Sequence, residues 1–180
     1  MKHFFLILRT TTVFVCIVLI SFFLLFSFHP RSEVQVEVAD FLHSGQGQLP
    51  FGTYENEHMY DVFIILSVLR ILGAIALLYT LHIIPSLTRS ELFFIGWMCV
   101  VIPGILTILP WDNVFTGMHL LLFPQGNWQF PATSFLIQTY PERFFMLFAA
   151  IWASVIILVG AGIVYGARKK HSTRKNTYVL

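Results

Sequence analysis

The sequence contains few charged residues for its length. Asp, Glu, Lys and Arg make up 11% of its 180 residues, whereas 57% are hydrophobic. A soluble globular domain carries about 25% charged residues. The composition therefore predicts a membrane protein and leaves no polar segment long enough for a separate soluble domain. The net charge of +2 is no indication of nucleic-acid binding, because the basic residues follow the predicted membrane topology.

Cysteine is also scarce. Cys16 and Cys99 are the two cysteines, and both lie inside apolar stretches. Two cysteines at such positions cannot form a disulfide framework, and they offer too few ligands for a metal site of their own. We predict that both side chains only pack against their neighbours.

The sequence lacks the common motifs of covalent and phosphate chemistry. It has no Gly-x-Ser-x-Gly, no glycine-rich phosphate loop and no cysteine placed for catalysis. A covalent acyl-enzyme is therefore not indicated.

The sequence contains four long apolar stretches, at about residues 10–28, 62–81, 92–109 and 144–167. Each is close to the ~20 residues that a membrane-spanning helix needs. The first begins like a signal peptide, but no small-x-small cleavage site follows, so we expect it to remain as the first helix. These stretches predict an all-α integral membrane protein with four transmembrane helices in a single domain, residues 1–180. Segments 29–61 and 110–143 then lie on one side of the membrane, and a tail at 168–180 lies on the other side.

The basic residues predict the orientation of the chain. Arg31 and Arg143 fall in the two larger polar segments. The other flanking cations all fall on the opposite side of a four-pass topology: Lys2, Arg9, Arg89, Arg168, Lys169, Lys170, Arg174 and Lys175. The positive-inside rule places this cation-rich side in the cytoplasm, together with both termini. Segments 29–61 and 110–143 should therefore form a small extracytoplasmic cap.

Short interfacial helices are expected in this cap. Ser32 and Gln35 have the spacing of a capping box, apolar residues follow at helical intervals, and Gly45 is placed to end the helix. The alternation of Val34, Val36 and Val38 also allows a strand. The segment Val114–Phe123 is almost entirely apolar but only ten residues long, so it should lie in the membrane interface. If it is helical, Asp112, Thr116 and His119 share one face.

Two histidines are the candidate functional residues of the cap. His58 lies beside Glu57 and Asp61 just before the second apolar stretch, and His119 interrupts the apolar segment of the second polar region. Acidic residues also suit the first turn of a helix, but histidine is not a preferred capping residue. Two histidines on one membrane surface could perform general acid–base catalysis on a substrate that brings its own nucleophile. The alternatives are haem binding, or zinc binding with Asp61, Glu57 or Asp112 as third ligand.

Two further features stand out within the apolar stretches. Arg70 lies nine residues after Asp61, roughly 13 Å deeper along a helix and close to the middle of the bilayer. A structural and an electrostatic role are both open for it. Gly162 and Gly166 have GxxxG spacing, which we expect to serve helix packing within the chain rather than dimerisation.

The sequence resembles the bacterial lipoprotein intramolecular transacylase (Lit) family. Three motifs carry the resemblance: Glu57-His58-Met59-x-Asp61-Val62; Trp111-Asp112 with His119 and Phe123-Pro124-x-Gly126-x-Trp128-x-Phe130; and Leu136-Ile137-Gln138-x-x-Pro141-Glu142-x-Phe144.

The resemblance implies four spanning helices, an extracytoplasmic cap and an acyltransferase. Members of the Lit family move the sn-2 acyl chain of a diacylglyceryl-cysteine lipoprotein to the α-amine of that N-terminal cysteine, which gives a lyso-form lipoprotein. The resemblance implies that His58 and His119 are catalytic. Of the two, we expect His119 to be the base. We expect supporting or substrate-binding roles for a further set: Glu57, Asp61, Arg70, Trp111, Asp112, Trp128 and Phe130.

The resemblance also implies partners and location. The expected partners are the diacylated N-terminus of a lipoprotein and membrane lipid, with no nucleic acid, no cofactor and no metal. The expected protein is a monomer in the bacterial cytoplasmic membrane, with its active site at the extracytoplasmic face. The alternative is a non-enzymatic membrane module that binds haem or metal through His58 and His119. A third reading is a structural membrane subunit that needs neither histidine.

Overall fold

The structure, a computed structural model, describes residues 2–28 and 32–176. Residues 29–31 and 177–180, which belong to the predicted outer segment and tail, lie outside the described residues. Within the described ranges the chain forms helices and no strand. The α-helices are α1 (Lys2–Phe28), α2 (Glu33–Ser44), α3 (Thr53–Ile83), α4 (Arg89–Ile108), α5 (Trp111–Leu122), α6 (Phe135–Thr139) and α7 (Glu142–Asn176).

Four of these helices, α1, α3, α4 and α7, are long and apolar enough to span a membrane. They confirm the predicted all-α membrane fold. α4 packs along α7, and α1 contacts each of the other three long helices. A short 3-10 turn, Ile84–Ser86, joins α3 to α4, and α7 continues to Asn176, inside the predicted tail.

The short helix α2 follows the local signals in its sequence. Ser32 Oγ accepts the Gln35 backbone N–H at 3.3 Å, and Gln35 Oε1 accepts the Ser32 backbone N–H at 3.0 Å. Gly45 ends the helix with φ of 71°, in the left-handed region that favours glycine. The strand alternative for this segment is wrong. The buried face of α2, which includes Phe41 and Leu42, packs against α3.

Contacts between distant residues define the two ends of the bundle. The Arg9 guanidinium bonds to the carbonyl and hydroxyl oxygens of Ser86 at 3.0 Å and pairs with the Glu91 carboxylate at 3.0 Å. Arg168 lies over the Phe93 ring, 5.6 Å from its centroid. The start of α1, the turn between α3 and α4, and the last third of α7 therefore share one end. Helices α2, α5 and α6 lie at the opposite end, where the site described below is built.

The close contact between α4 and α7 depends on two glycines. A Cβ atom added to Gly160 would lie 2.7 Å from the Gly96 carbonyl oxygen and 2.6 Å from Cys99 Cβ. Gly162 and Gly166 have open space around them instead. Our expectation that the GxxxG pair packs within the chain was therefore wrong, because those two glycines lie on an exposed face of α7.

This contact predicts a difference between two neighbouring glycines. Gly160→Val should lower the free energy of unfolding by about 1–3 kcal/mol, because the new methyl groups force α4 away from α7. Gly162→Val should change it little, since nothing lies within 4 Å of that position. Thermal unfolding of both variants in the same detergent measures the difference. Equal midpoints for the two variants would contradict the packing described here.

Candidate active site

The structure brings the two predicted histidines together. His58 lies in the second turn of α3 and His119 near the end of α5, and their rings are 6.4 Å apart between centroids and inclined by 24°. Both side chains are buried, with 7% and 8% of their surface exposed. Pro110 precedes α5, and Asp112 in the first turn suits the positive end of the helix dipole. This helix then places His119 opposite α3.

The hydrogen bond of His119 assigns its tautomer. His119 Nδ1 is 2.8 Å from the backbone carbonyl oxygen of Phe115. A carbonyl oxygen can only accept a hydrogen bond, so Nδ1 carries the proton and Nε2 of the neutral ring is free to accept one. Burial lowers the pKa of His119, although the bond to Phe115 opposes this effect in part. The ring is therefore neutral at pH 7 and can act as a base.

His58 presents a different ring nitrogen to the site. Its Nδ1 atom is buried and has no hydrogen-bond partner among the described residues. Leaving such a group unpaired costs about 1–3 kcal/mol. A buried ring nitrogen without a partner, next to a second histidine, is available for a ligand.

Aromatic side chains enclose the histidine pair. Their ring centroids lie 4.1–5.6 Å from a histidine ring: Phe115, Phe123, Trp128 and Phe130. Phe123 contacts both histidines, at 4.6 Å for His58 and 5.6 Å for His119. The structure thus places the predicted Trp128 and Phe130 at the pair. The enclosure keeps water away and offers an apolar surface to a lipid.

Asp61 holds the loop after α5 against α3. Its Oδ2 atom accepts hydrogen bonds from Gln125 Nε2 at 2.9 Å and from Asn127 Nδ2 at 2.6 Å. Gly126 lies between the two amides with φ of 80°, and this left-handed conformation lets both side chains reach one carboxylate. The predicted Asp61 is therefore close to the site through the loop that carries Trp128.

The sequence analysis missed the two amides and a third polar residue, Glu55. Gln125 and Asn127 stand at positions written as x in the Phe123–Phe130 motif. Their placement on either side of Gly126 was a sequence signal that could have identified them. Glu55 Oε1 accepts the Leu136 backbone N–H at 3.0 Å, and its Oε2 accepts the Gly52 backbone N–H at 2.8 Å. This buried carboxylate therefore joins the start of α3 to α6.

Three further predicted residues of the cap are Glu57, Trp111 and Asp112. Glu57 is exposed and lines a cleft of about 590 Å³ together with Asp61 and Asn127. Trp111 contacts Phe115 at 5.6 Å between centroids, and its indole N–H is buried without a hydrogen-bond partner among the residues described. Asp112 is exposed.

Arg70 is not brought to the histidines. From His58, twelve further residues at 100° each turn it about 120° around α3. Its guanidinium instead lies over the Phe23 ring of α1, 5.6 Å from the centroid.

The geometry offers no metal site within the described part of the chain. No three or more His, Cys, Asp or Glu side chains there are grouped so that they could hold one ion. Cys16 and Cys99 are free, buried thiols in α1 and α4, as their predicted packing role requires.

One comparison with known proteins identifies a family. Residues 34–145 match the family described as "Lipoprotein intramolecular transacylase Lit". This range contains both histidines, the aromatic enclosure and the polar contacts of Asp61 and Glu55. No curated protein and no solved structure matches the chain. The match covers more than half of the 180 residues and confirms the resemblance. The chain belongs to the Lit family and is a membrane-embedded acyltransferase, a lipoprotein intramolecular transacylase.

Proposed function

We propose that His58 and His119 together move the sn-2 acyl chain of a diacylglyceryl-cysteine lipoprotein to the α-amine of the same cysteine. One observation carries this proposal. Two buried imidazoles lie 6.4 Å apart in an aromatic enclosure, and the one with an assigned tautomer has a free basic nitrogen. A substrate that brings its own amine nucleophile needs proton transfer and positioning, and no protein nucleophile.

The proposed reaction balances without a co-reactant. The α-amine nitrogen attacks the ester carbonyl carbon, and a base removes one proton from that nitrogen. The tetrahedral intermediate then breaks the bond between the acyl carbon and the sn-2 oxygen, and this oxygen receives a proton. The products are an amide on the cysteine and a free hydroxyl on the glycerol, so substrate and product have the same mass.

The two histidines have different atoms available for these steps. His119 Nε2 is the base, because Nδ1 is held by Phe115 and the ring is neutral at pH 7. The unpartnered His58 Nδ1, in its protonated tautomer, donates a hydrogen bond to the developing oxyanion, and His119 Nε2 returns the proton it took from the amine to the departing sn-2 oxygen. General acid–base catalysis of this kind contributes about 10²–10⁴-fold in rate.

The aromatic enclosure contributes to catalysis by positioning the substrate and by excluding water. Phe123, Trp128 and Phe130 form the apolar surface against which the diacylglyceryl group folds, so that its ester meets the amine. Holding reacting groups in contact is worth several kcal/mol. The same rings keep water from hydrolysing the ester.

The remaining predicted residues serve the substrate's polar part in this proposal. Glu57 and Asp61 line the cleft beside α3, where they attract the cationic amine before it loses its proton. Trp111 offers a free indole N–H, and Asp112 stabilises the start of α5. We place the site at the extracytoplasmic face and both termini in the cytoplasm, because the cation-rich segments share the opposite end. We further propose that the protein acts as a monomer in the bacterial cytoplasmic membrane.

The proposal is tested by locating the acyl chain in the product. Purified protein in detergent is incubated with a synthetic diacylglyceryl-cysteine peptide, and the peptide is fragmented in a mass spectrometer. We expect an isomer of unchanged mass whose cysteine amine carries one acyl group. A peptide that keeps both acyl groups on glycerol, or loses one to water, would contradict transacylation.

The lowered pKa of His119 gives a separate prediction. A base with a pKa below its ordinary value of 6.5 is unprotonated at pH 7 and gains its proton only as the pH falls through that lowered pKa. Nuclear magnetic resonance titration of the ring measures this directly. It is preferable to a rate profile, because the substrate's α-amine itself titrates near pH 8.

The His119 resonances are assigned by their loss in His119→Asn. We expect a titration midpoint below 6.5, with the neutral Nδ1–H tautomer at pH 7. A midpoint at or above 6.5 would contradict the effect of burial on His119 described here.

A further inference from the structure

A second cavity lies on a face of α3 turned away from the histidines. It is a groove of about 650 Å³ between α1 and α3, and one side of it is covered by α2. The groove is lined by Leu19, Ile20, Phe23, Leu24, Phe26 and Ser27 of α1, Ala39, Asp40 and His43 of α2, and Arg70, Gly73, Ala74 and Leu77 of α3. It shares none of these residues with the enclosure around His58 and His119.

Arg70 is the cation in the wall of this groove. Its guanidinium lies over the Phe23 ring, and no carboxylate is paired with it within the ranges that the structure describes. An arginine in an apolar membrane environment is costly unless it meets an anion or water. A guanidinium that is half-buried and has no acidic partner among the described residues is available for an external anion.

The contact with Phe23 locates the Arg70 guanidinium along α1. Phe23 lies five residues before α1 ends at Phe28, which is about 8 Å of helix. A long side chain on a helix points toward the helix N-terminus, and the N-terminus of α3 is at the end that carries the cap. The charge therefore lies nearer the membrane surface than its Cα atom.

The polarity of the groove changes along its length. Beside α2 the lining includes Asp40, His43 and Ser27, whereas Gly73 and Ala74 continue an apolar floor away from α2. Gly73 is buried, and a Cβ atom there would lie 3.6 Å from Leu19 of α1, whereas Ala74 and Leu77 are exposed and leave an apolar surface for a hydrocarbon chain. The groove therefore has polar groups at the end beside α2, then the cation of Arg70, and then an apolar channel. This order matches an amphiphile with a negatively charged headgroup.

We propose that this groove binds a glycerophospholipid, with its phosphate on Arg70 and one acyl chain along Ala74 and Leu77. The headgroup beyond the phosphate then faces Asp40 and His43 of α2. The diacylglyceryl-cysteine substrate carries no phosphate, so the charge of Arg70 distinguishes this lipid from the substrate. The groove is thus a lipid site separate from the candidate active site, and its occupancy does not depend on the proposed function.

Native mass spectrometry of the full chain in a nonionic detergent tests the proposal. The probes are phosphatidylglycerol and a diacylglycerol with the same acyl chains. We expect the wild-type protein to retain phosphatidylglycerol, and Arg70→Gln to weaken its binding by about tenfold, since a charge-assisted hydrogen bond is lost. Ala74→Phe should weaken binding similarly by filling the channel, and it changes an exposed position.

Two control variants separate this site from others. Arg143→Gln removes an exposed cation at the same end of the bundle and outside the groove, so it should bind the lipid like the wild type. His58→Ala should also bind it like the wild type, whatever its effect on acyl transfer. Equal retention of diacylglycerol and phosphatidylglycerol, or unchanged binding by Arg70→Gln, would overturn the proposal. Loss of binding in Arg143→Gln to the same extent would overturn it as well.

Discussion

Replacing His119 with alanine should lower the rate of acyl transfer by about 10²–10⁴-fold, and replacing His58 should have an effect in the same range. The reason is that each ring has a separate proton to move or hold. His119 Nε2 takes the proton from the amine, and His58 Nδ1 serves the oxygen side of the ester. The rate is measured as the initial formation of the isomeric peptide by purified protein in detergent.

Two further variants make this prediction specific. His119→Asn keeps an N–H donor near the position of Nδ1 and can still bond to the Phe115 carbonyl, but it has no basic nitrogen, so it should be as slow as the alanine variant. His82→Ala changes an exposed histidine in the last turn of the same helix, α3, and should leave the rate unchanged. A His119→Asn enzyme with nearly full activity would show that His119 is structural.

Glu55→Ala should lower the free energy of unfolding by about 2–5 kcal/mol, because two backbone N–H groups lose their buried acceptor. Glu55 accepts from Gly52 at the start of α3 and from Leu136 of α6. The Leu136 side chain belongs to the apolar core that includes Phe41 of α2 and Met59 of α3. Loss of this carboxylate should therefore loosen the cap as well as the helix start.

The matched control is Glu37→Ala, which removes an exposed carboxylate from α2. It should change stability by less than about 0.5 kcal/mol. Thermal unfolding in detergent measures both variants, and hydrogen exchange at the Leu136 amide reports the cap directly. If Glu55→Ala matched Glu37→Ala in both measurements, Glu55 would not be the link between α3 and α6.

Local signals in the sequence were sufficient for α2 and for the four long helices. The capping box at Ser32 and Gln35 and the glycine at position 45 act through neighbouring residues, so no tertiary information was needed. The long apolar stretches predict spanning helices by length and composition alone. The helices continue beyond those stretches, since backbone hydrogen bonding extends through polar residues such as Glu55 and His58.

Packing between helices was not predictable in the same way. The spacing of Gly162 and Gly166 indicates a flat face on α7, but it does not indicate which neighbour meets that face. Gly96 and Gly160 make the close contact instead, and no short motif joins two glycines that lie on different helices. The contact of Arg70 with Phe23 was not predictable for a related reason, because the two residues lie on different helices.

The candidate site was predicted in part. His58 and His119 were identified because histidines at a membrane surface have no common anchoring role, and Trp128 and Phe130 because they belong to the resembling motifs. Gln125 and Asn127 were missed because loop amides carry no periodic signal. Their convergence on Asp61 depends on the backbone conformation at Gly126, which appears only in three dimensions.

The most direct test of the account is the acyl-transfer rate of the double variant, His58→Ala with His119→Ala, set beside the two single variants. Residues that act on one substrate as a unit show losses far from additive. We therefore expect the double variant to be about as slow as the slower single variant. If the two losses multiplied, the histidines would act independently, and if either single variant kept full activity, the paired mechanism would be wrong.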